Sequence, residues 1–203
     1  MTRPTHPTKA KLLDTAVLML NSTPIEAITT EALLERSGIS RSSLYHHFSD
    51  FHDLLGAAEV VRFTHFVDIS IDMLAKALEA TNPAELRERL VEVTRKTQNP
   101  AIQNIRSRRV QVLAEAYKSE RFRTMLGIEQ ERLTDSLADI VRELQARNWV
   151  RQSLDPRAVA ILIQAYTIGR AVDDVTPNHV DPDAWMAVID LVMDSVLLDS
   201  AKS

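Results

Sequence analysis

Apolar side chains recur every three to four positions along most of this chain, the spacing of one buried face on a helix. Leu12, Leu13, Ala16, Val17, Met19 and Leu20 predict a first helix, which stops at the polar turn Asn21-Ser22-Thr23-Pro24. Ala32, Leu33 and Leu34 mark a short second helix, with a threonine N-cap after Ile28, Glu31 in its first turn and Gly38 placed for a left-handed exit. Ser40 caps a third helix, Arg41 to His47, and Ser49 or Asp50 caps a fourth that runs from Phe51 to about Leu78 without a proline. Asn82-Pro83 and Asn99-Pro100 punctuate the next stretch, because proline suits the first helical position. Helices are expected from about Ile102 to Tyr117 and from about Arg123 to Arg147, the latter patterned by Leu126, Leu133, Leu137, Ile140, Val141 and Leu144. Asp155-Pro156 opens a very apolar helix, about Arg157 to Val172. Asp181-Pro182 opens the last, with Trp185, Val188, Ile189, Val192, Met193 and Val196 on its buried side.

Composition agrees with this pattern: of 203 residues only 4 are glycine and 8 proline, aromatics make up 5%, and Ala, Leu, Glu and Arg abound. An all-α fold of about nine helices follows. Its expected organisation is a small head of three helices over residues 1–50 and a larger helical domain over 51–203. Without cysteine there are neither disulfides nor thiolate metal sites. The polar stretch Met1 to Lys11 lacks the apolar core of a signal peptide, and no run is long enough for a membrane span, so a cytoplasmic protein without membrane contact is expected. The formal net charge of -4 does not announce a nucleic-acid partner, since most DNA-binding domains carry a basic excess.

Thr30 to His47 nevertheless has the lengths of a helix-turn-helix, two short helices joined through Gly38, with the second sized for a major groove. Ile39, Leu44 and Phe48 would pack the head, while Arg41, Ser42, Ser43, Tyr45, His46 and His47 present polar atoms with no other evident partner. Short hydroxyl side chains allow close approach to base edges, and a guanidinium can fork onto guanine O6 and N7. The string from Ile28 to Leu55, anchored by Thr29, Gly38, Ser40, Leu44, Tyr45, Phe48 and Leu54, resembles the tetracycline-repressor-like (TetR) family. That resemblance implies a homodimer on a palindromic double-stranded operator, released by a small-molecule effector. It assigns phosphate contacts to Tyr45 and to His46 or His47, and gives Thr30 a hydroxyl and backbone N–H at a helix N-terminus, so the expected DNA-binding set is Thr29, Thr30, Ser40, Arg41, Ser42, Ser43, Tyr45, His46 and His47.

One position departs from the family pattern, in that Phe51 stands where a lysine usually holds a phosphate. Over residues 1–53, Arg3, Lys9, Lys11, Arg36 and Arg41 face Asp14, Glu26, Glu31, Glu35, Asp50 and Asp53, which leaves the head almost neutral. A shallow salt dependence is expected, with binding strengthened at mildly acidic pH if His46, His47 or His52 is protonated.

In the larger domain the resemblance places the ligand among the middle helices, which makes Phe63, Phe66, Ile102, Tyr117, Met125 and Tyr166 candidate lining, and Arg109 joins them because its basic run could bind an anionic effector or a second DNA segment. The run Arg106, Arg108, Arg109 reads as a solvated face paired with nearby acids, and Asp173-Asp174 as helix-end solvation. The last two helices carry more apolar surface than a terminal hairpin hides, and Ile161, Ala165, Ile168, Gly169, Trp185, Ile189 and Val192 are the expected dimer interface. Neither a cofactor nor a metal is expected: His46 and His47 diverge on their helix, and no well-spaced third ligand accompanies them. A helical enzyme or carrier on the same scaffold is the competing reading, but no nucleophile elbow, glycine-rich phosphate loop or metal-ligand spacing supports it.

Overall fold

Among the described residues proline opens four α-helices, each behind a side chain that caps the first turn: His6 before Pro7, Asn82 before Pro83, Asp155 before Pro156 and Asp181 before Pro182. Proline loses nothing there, because the first-turn N–H it lacks has no intrahelical acceptor anyway. The computed structural model describes residues 6–194. Among them stand nine helices of seven residues or more: α1 (Pro7–Ser22), α2 (Thr30–Ser37), α3 (Arg41–His47), α4 (Phe51–Ala75), α5 (Pro83–Gln98), α6 (Gln103–Ala116), α7 (Glu120–Ala146), α8 (Pro156–Gly169) and α9 (Pro182–Val192). No strand pairs with another among the described residues, and the all-α expectation holds. Val196, expected on the last helix, and Arg3, counted in the head's charge, lie outside the described residues.

Several ends differ from the sequence expectation for local reasons. The first helix begins at Pro7 because the His6 imidazole accepts the Thr8 N–H, a cap that apolar periodicity does not reveal. The fourth stops at Ala75 and tightens into a 3-10 turn, Lys76–Glu79, before Ala80 extends. The apolar run of α8 ends at Gly169 rather than Val172, and Ala171–Asp174 forms a separate helical turn.

The chain divides into two compact units, Met1–Phe66 with Ala116–Glu129 and Val67–Glu115 with Gln130–Ser203. In the first, Leu12, Ala16 and Leu20 of α1, Leu33 of α2, Leu44 of α3 and Leu54, Leu55 and Ala58 of α4 form one buried cluster with Met19, Ile28 and Phe48. The start of α7 belongs to this unit: Arg121 pairs with Asp53 at 3.0 Å, and a Cβ on Gly56 would stand 3.4 Å from the Phe122 ring. In the second, Leu86, Val141, Leu144, Val150 and Val159 close a core with Ala77 and Ala80. Polar side chains are threaded through this unit, where Gln164 donates to Thr134 Oγ1 at 3.1 Å and to the Ala160 carbonyl at 3.2 Å.

Candidate nucleic-acid interface

The backbone of the head is set by three short polar devices. Thr29 Oγ1 accepts the Ala32 N–H at 3.2 Å and starts α2, and Gly38, at φ 64°, ends it in the left-handed region that any Cβ would strain. Ser40 Oγ accepts the Ser43 N–H at 3.3 Å and starts α3 two residues later. Asp50 Oδ1 accepts the Asp53 N–H at 2.8 Å, and Asp53 in turn accepts from the Ser49 N–H at 3.0 Å, which fixes the entry of α4.

These caps leave α3 with one buried and one open side. Leu44 is fully buried, Phe48 follows it into the same cluster, and Ile39 packs against it, as the sequence predicts. Arg41, Ser42, Tyr45 and His46 are exposed together on the other side, with Ser43 and His47 half-buried. Thr29 and Ser40 are exposed at the caps, and Thr30 is half-buried. Ser40 Oγ also lies 3.1 Å from Ser42 Oγ and 2.9 Å from Ser43 Oγ, so three hydroxyls form one local cluster at the start of α3.

Two features were not legible in the sequence. Arg41 is not without a partner, because its guanidinium donates to the Glu31 carboxylate on α2, ten residues away in sequence. That pair and the backbone hydrogen bond of Glu31 hold this carboxyl below its usual range, the backbone bond contributing most. His6 is the second feature: its ring centre stands 4.8 Å from that of His47, which is 5.0 Å from that of His46. Desolvation first, then the neighbouring His6, His46 and Lys9, hold the His47 imidazole below its usual value. Phe51 leans on the head core as a half-buried hydrophobe, so its ring fills space where a lysine would reach outward.

The candidate ligand residues fall in both units. Phe63 is buried, and Phe66 lies 5.9 Å from it between ring centres, with Met125 half-buried in the same unit. In the second unit Ile102 and Tyr166 are half-buried, and the Tyr166 hydroxyl stands 3.5 Å from Thr94 Oγ1. Tyr117 is corrected: α6 ends at Ala116, and the tyrosine is 88% exposed beyond it, with no enclosed surface to line. The reading of Arg106 and Arg109 as a solvated face is also overturned. Both are buried, burial pushes the Arg109 guanidinium down to about 10, and only Arg108 of the run is exposed. Arg106 forks onto Asp174 at 2.9 and 2.7 Å and donates to the Asn99 carbonyl at 2.9 Å, so Asp174 is an ion-pair partner rather than a solvated helix end. Arginine has no apolar periodicity to betray that it points inward, which is why the pattern missed it.

Of the expected interface residues, Ile161, Ala165, Gly169 and Val192 are exposed and Ile168 is half-buried. Ile189 is buried within the chain, and Trp185 turns inward, its indole N–H donating to Gln98 Oε1 at 2.9 Å. Leu162, Val188 and Leu191 extend the exposed apolar surface of α8 and α9.

Residues 12–58 match the family described as bacterial regulatory proteins, tetR family. Among curated proteins, the nucleoid occlusion factor SlmA of Alteromonas mediterranea is 28% identical over 163 residues, 80% of each chain. Among solved structures, a TetR-family transcriptional regulator from Mesorhizobium loti superposes with a TM-score of 0.67 at 16% identity, covering 93% of this chain and 94% of that one. A transcriptional regulator from Saccharomonospora viridis, solved in complex with choline, gives 0.65 at 18% identity, with 94% of this chain and 97% of that one covered. No described helix is long and apolar enough to cross a membrane.

Proposed function

We propose that this chain is a transcriptional regulator of the tetR family, a repressor which binds a palindromic operator as a homodimer and leaves it when a small molecule binds. The observation that carries the reading is the open side of α3: Arg41, Ser42, Tyr45 and His46 face solvent on a helix whose Leu44 is clamped into the head core. A helix so anchored presents the same side chains at a fixed angle to a groove, with Arg41 reading a guanine, Ser42 and Ser43 close to base edges, and Tyr45, His46 and His47 on phosphates. Thr29, Thr30 and Ser40 stand at the helix starts, where backbone N–H groups meet the phosphate chain.

Residues 1–50 serve as the reading head and 51–203 as the sensing and pairing domain. The exposed apolar side chains Ile161, Leu162 and Ala165 of α8 and Val188, Leu191 and Val192 of α9 support pairing through a four-helix bundle. Gly169 has no atom within 4 Å of an added Cβ, which leaves room there for close helix approach. The unbroken 25-residue α4 supports a mechanical link, in which a ligand preferring the DNA-incompetent state tilts this helix and changes the separation of the two α3 helices. Phe63, Phe66 and Met125 in the first unit, and Ile102, Arg109 and Tyr166 in the second, remain the residues proposed for sensing, each set taken by itself.

The likeness to a nucleoid occlusion factor over 80% of the chain favours a second reading, in which the protein takes part in nucleoid occlusion rather than in the control of a promoter. Deleting its gene separates the two: changed transcription of one or a few genes supports the repressor, whereas division that no longer avoids the nucleoid supports nucleoid occlusion. For either, Arg41→Ala should cost about tenfold or more in affinity for the selected site and relax preference at one base position. Unchanged binding by that variant would remove α3 from the interface.

A further inference from the structure

A cleft of about 390 Å³ opens in the second unit between the start of α6 and the segment that joins α8 to α9, and Gln103, Arg170, Asp173, His179, Asp181 and Pro182 are among its walls. That volume is in the range of small-molecule sites. Arg170 is only 4% exposed, yet its guanidinium makes neither hydrogen bond nor ion pair within the described residues, and its Nε is enclosed without an acceptor. Burying a guanidinium without a counter-charge is strongly unfavourable, so a cation placed this way calls for an anion from outside the chain.

The carboxylates nearby do not fill that role. Asp174 is held by Arg106. Asp173 Oδ1 accepts the Val180 N–H at 2.9 Å while its Oδ2 lies 3.7 Å from His179 Nδ1. Asp181 Oδ1 accepts the N–H groups of Asp183 and Ala184 at 3.0 and 2.9 Å, the cap of α9. These acids also shape what can enter. A dianion would be repelled by Asp173 and Asp181, whereas a single carboxylate on Arg170 gains a bidentate pair, and hydroxyl or amino groups elsewhere on the ligand can donate to the remaining acid oxygens.

We propose that this cleft is a binding site for a small molecule carrying one carboxylate, with Arg170 as its counter-ion. A second copy of the chain is the less favoured source of the anion, because its side chain would have to penetrate to a guanidinium that is almost wholly enclosed. None of the sensing residues named above lines this cleft, so the site offers a second source for the small-molecule response proposed above, and rests on that reading only for its effect at the operator.

Thermal unfolding and calorimetry of the full chain with lactate, benzoate and β-alanine test it, against lactamide, benzamide and inorganic phosphate at matched ionic strength. At least one carboxylate should raise the melting temperature while its amide does not, and phosphate should do less. Arg170→Met should weaken that carboxylate by about tenfold or more and, because it removes an unmatched buried charge, should unfold no earlier than the natural protein in ligand-free buffer. Arg170→Lys should retain weakened binding, since it keeps the charge without the fork. Absence of any carboxylate effect, an effect unchanged in Arg170→Met, or stronger binding of phosphate would overturn the site. Loss of the dimer on Arg170→Met, seen by sedimentation, would assign the guanidinium to a second copy instead and overturn it too. Carboxylate binding that leaves operator affinity unchanged would keep the site and count against its role as the effector site.

Discussion

Because Glu31 holds the Arg41 guanidinium in the free protein, the proposed operator contact requires this side chain to exchange a carboxylate for a guanine edge. Both groups are largely exposed, so the pair costs little to open, but its acid also faces the approaching phosphates. Glu31→Gln should therefore raise operator affinity by about two- to fivefold, read by fluorescence anisotropy. A fall would mean that Glu31 positions Arg41 rather than competing for it. The histidines predict two opposite pH effects. In the free protein the His47 imidazole is held below its usual value, so protonation is disfavoured in the fold, and His47 should cost stability as pH falls below its unfolded value of about 6.5 and through its lower folded one. A phosphate beside it raises that value again, so operator binding takes up a proton and affinity should increase over the same acidic window. His47→Gln should flatten both profiles, and an affinity that is the same from mildly acidic to mildly alkaline pH would count against a phosphate at His47. Neither His6 beside His47 nor Glu31 beside Arg41 was legible in the chain, because each contact joins residues from separate elements whose polar character carries no periodicity.

At the scale of the elements, the second to fourth helices were readable almost to the residue because their starts are written in local chemistry: a hydroxyl or carboxylate cap, then a free N–H three residues on. Thr29, Gly38 and Ser40 stand where the sequence places them. Thr29→Ala should accordingly lower head stability by about 1 kcal/mol in thermal unfolding. Gly38→Val should cost more, since the left-handed backbone at this position admits a β-branched side chain only with strain. The body was read less well. Its helix count and proline starts were visible, but a buried arginine looks like a surface arginine in sequence, and so Arg106 and Asp174 were placed in solvent when they form an enclosed, bidentate pair. Asp174→Ala strands the Arg106 charge in the interior and should destabilise the protein by about 3–5 kcal/mol, measured by denaturant unfolding. A loss below about 1 kcal/mol would show that water reaches Arg106 freely once the pair is broken.

For the whole molecule, a head with almost no net charge and a recognition helix fixed by apolar packing point to binding dominated by hydrogen bonds rather than bulk electrostatics. The logarithm of affinity should fall only gently with the logarithm of salt concentration, well short of the slope set by about ten phosphate contacts. Gly169→Trp should convert the proposed dimer to monomer in sedimentation, since a Cβ there meets nothing within 4 Å beyond its own helix and the indole would take the space left for a partner helix, and an undisturbed dimer would move the interface elsewhere. The central claim, that α3 reads a specific duplex, is tested most directly by selecting bound genomic fragments with the purified protein and with Arg41→Ala in parallel. The account predicts enrichment of a palindrome whose half-sites lie about one helical turn or more apart, lost or relaxed at one base position in the variant. Recovery of no site above random fragments, or of the same site with equal strength by both proteins, would contradict it.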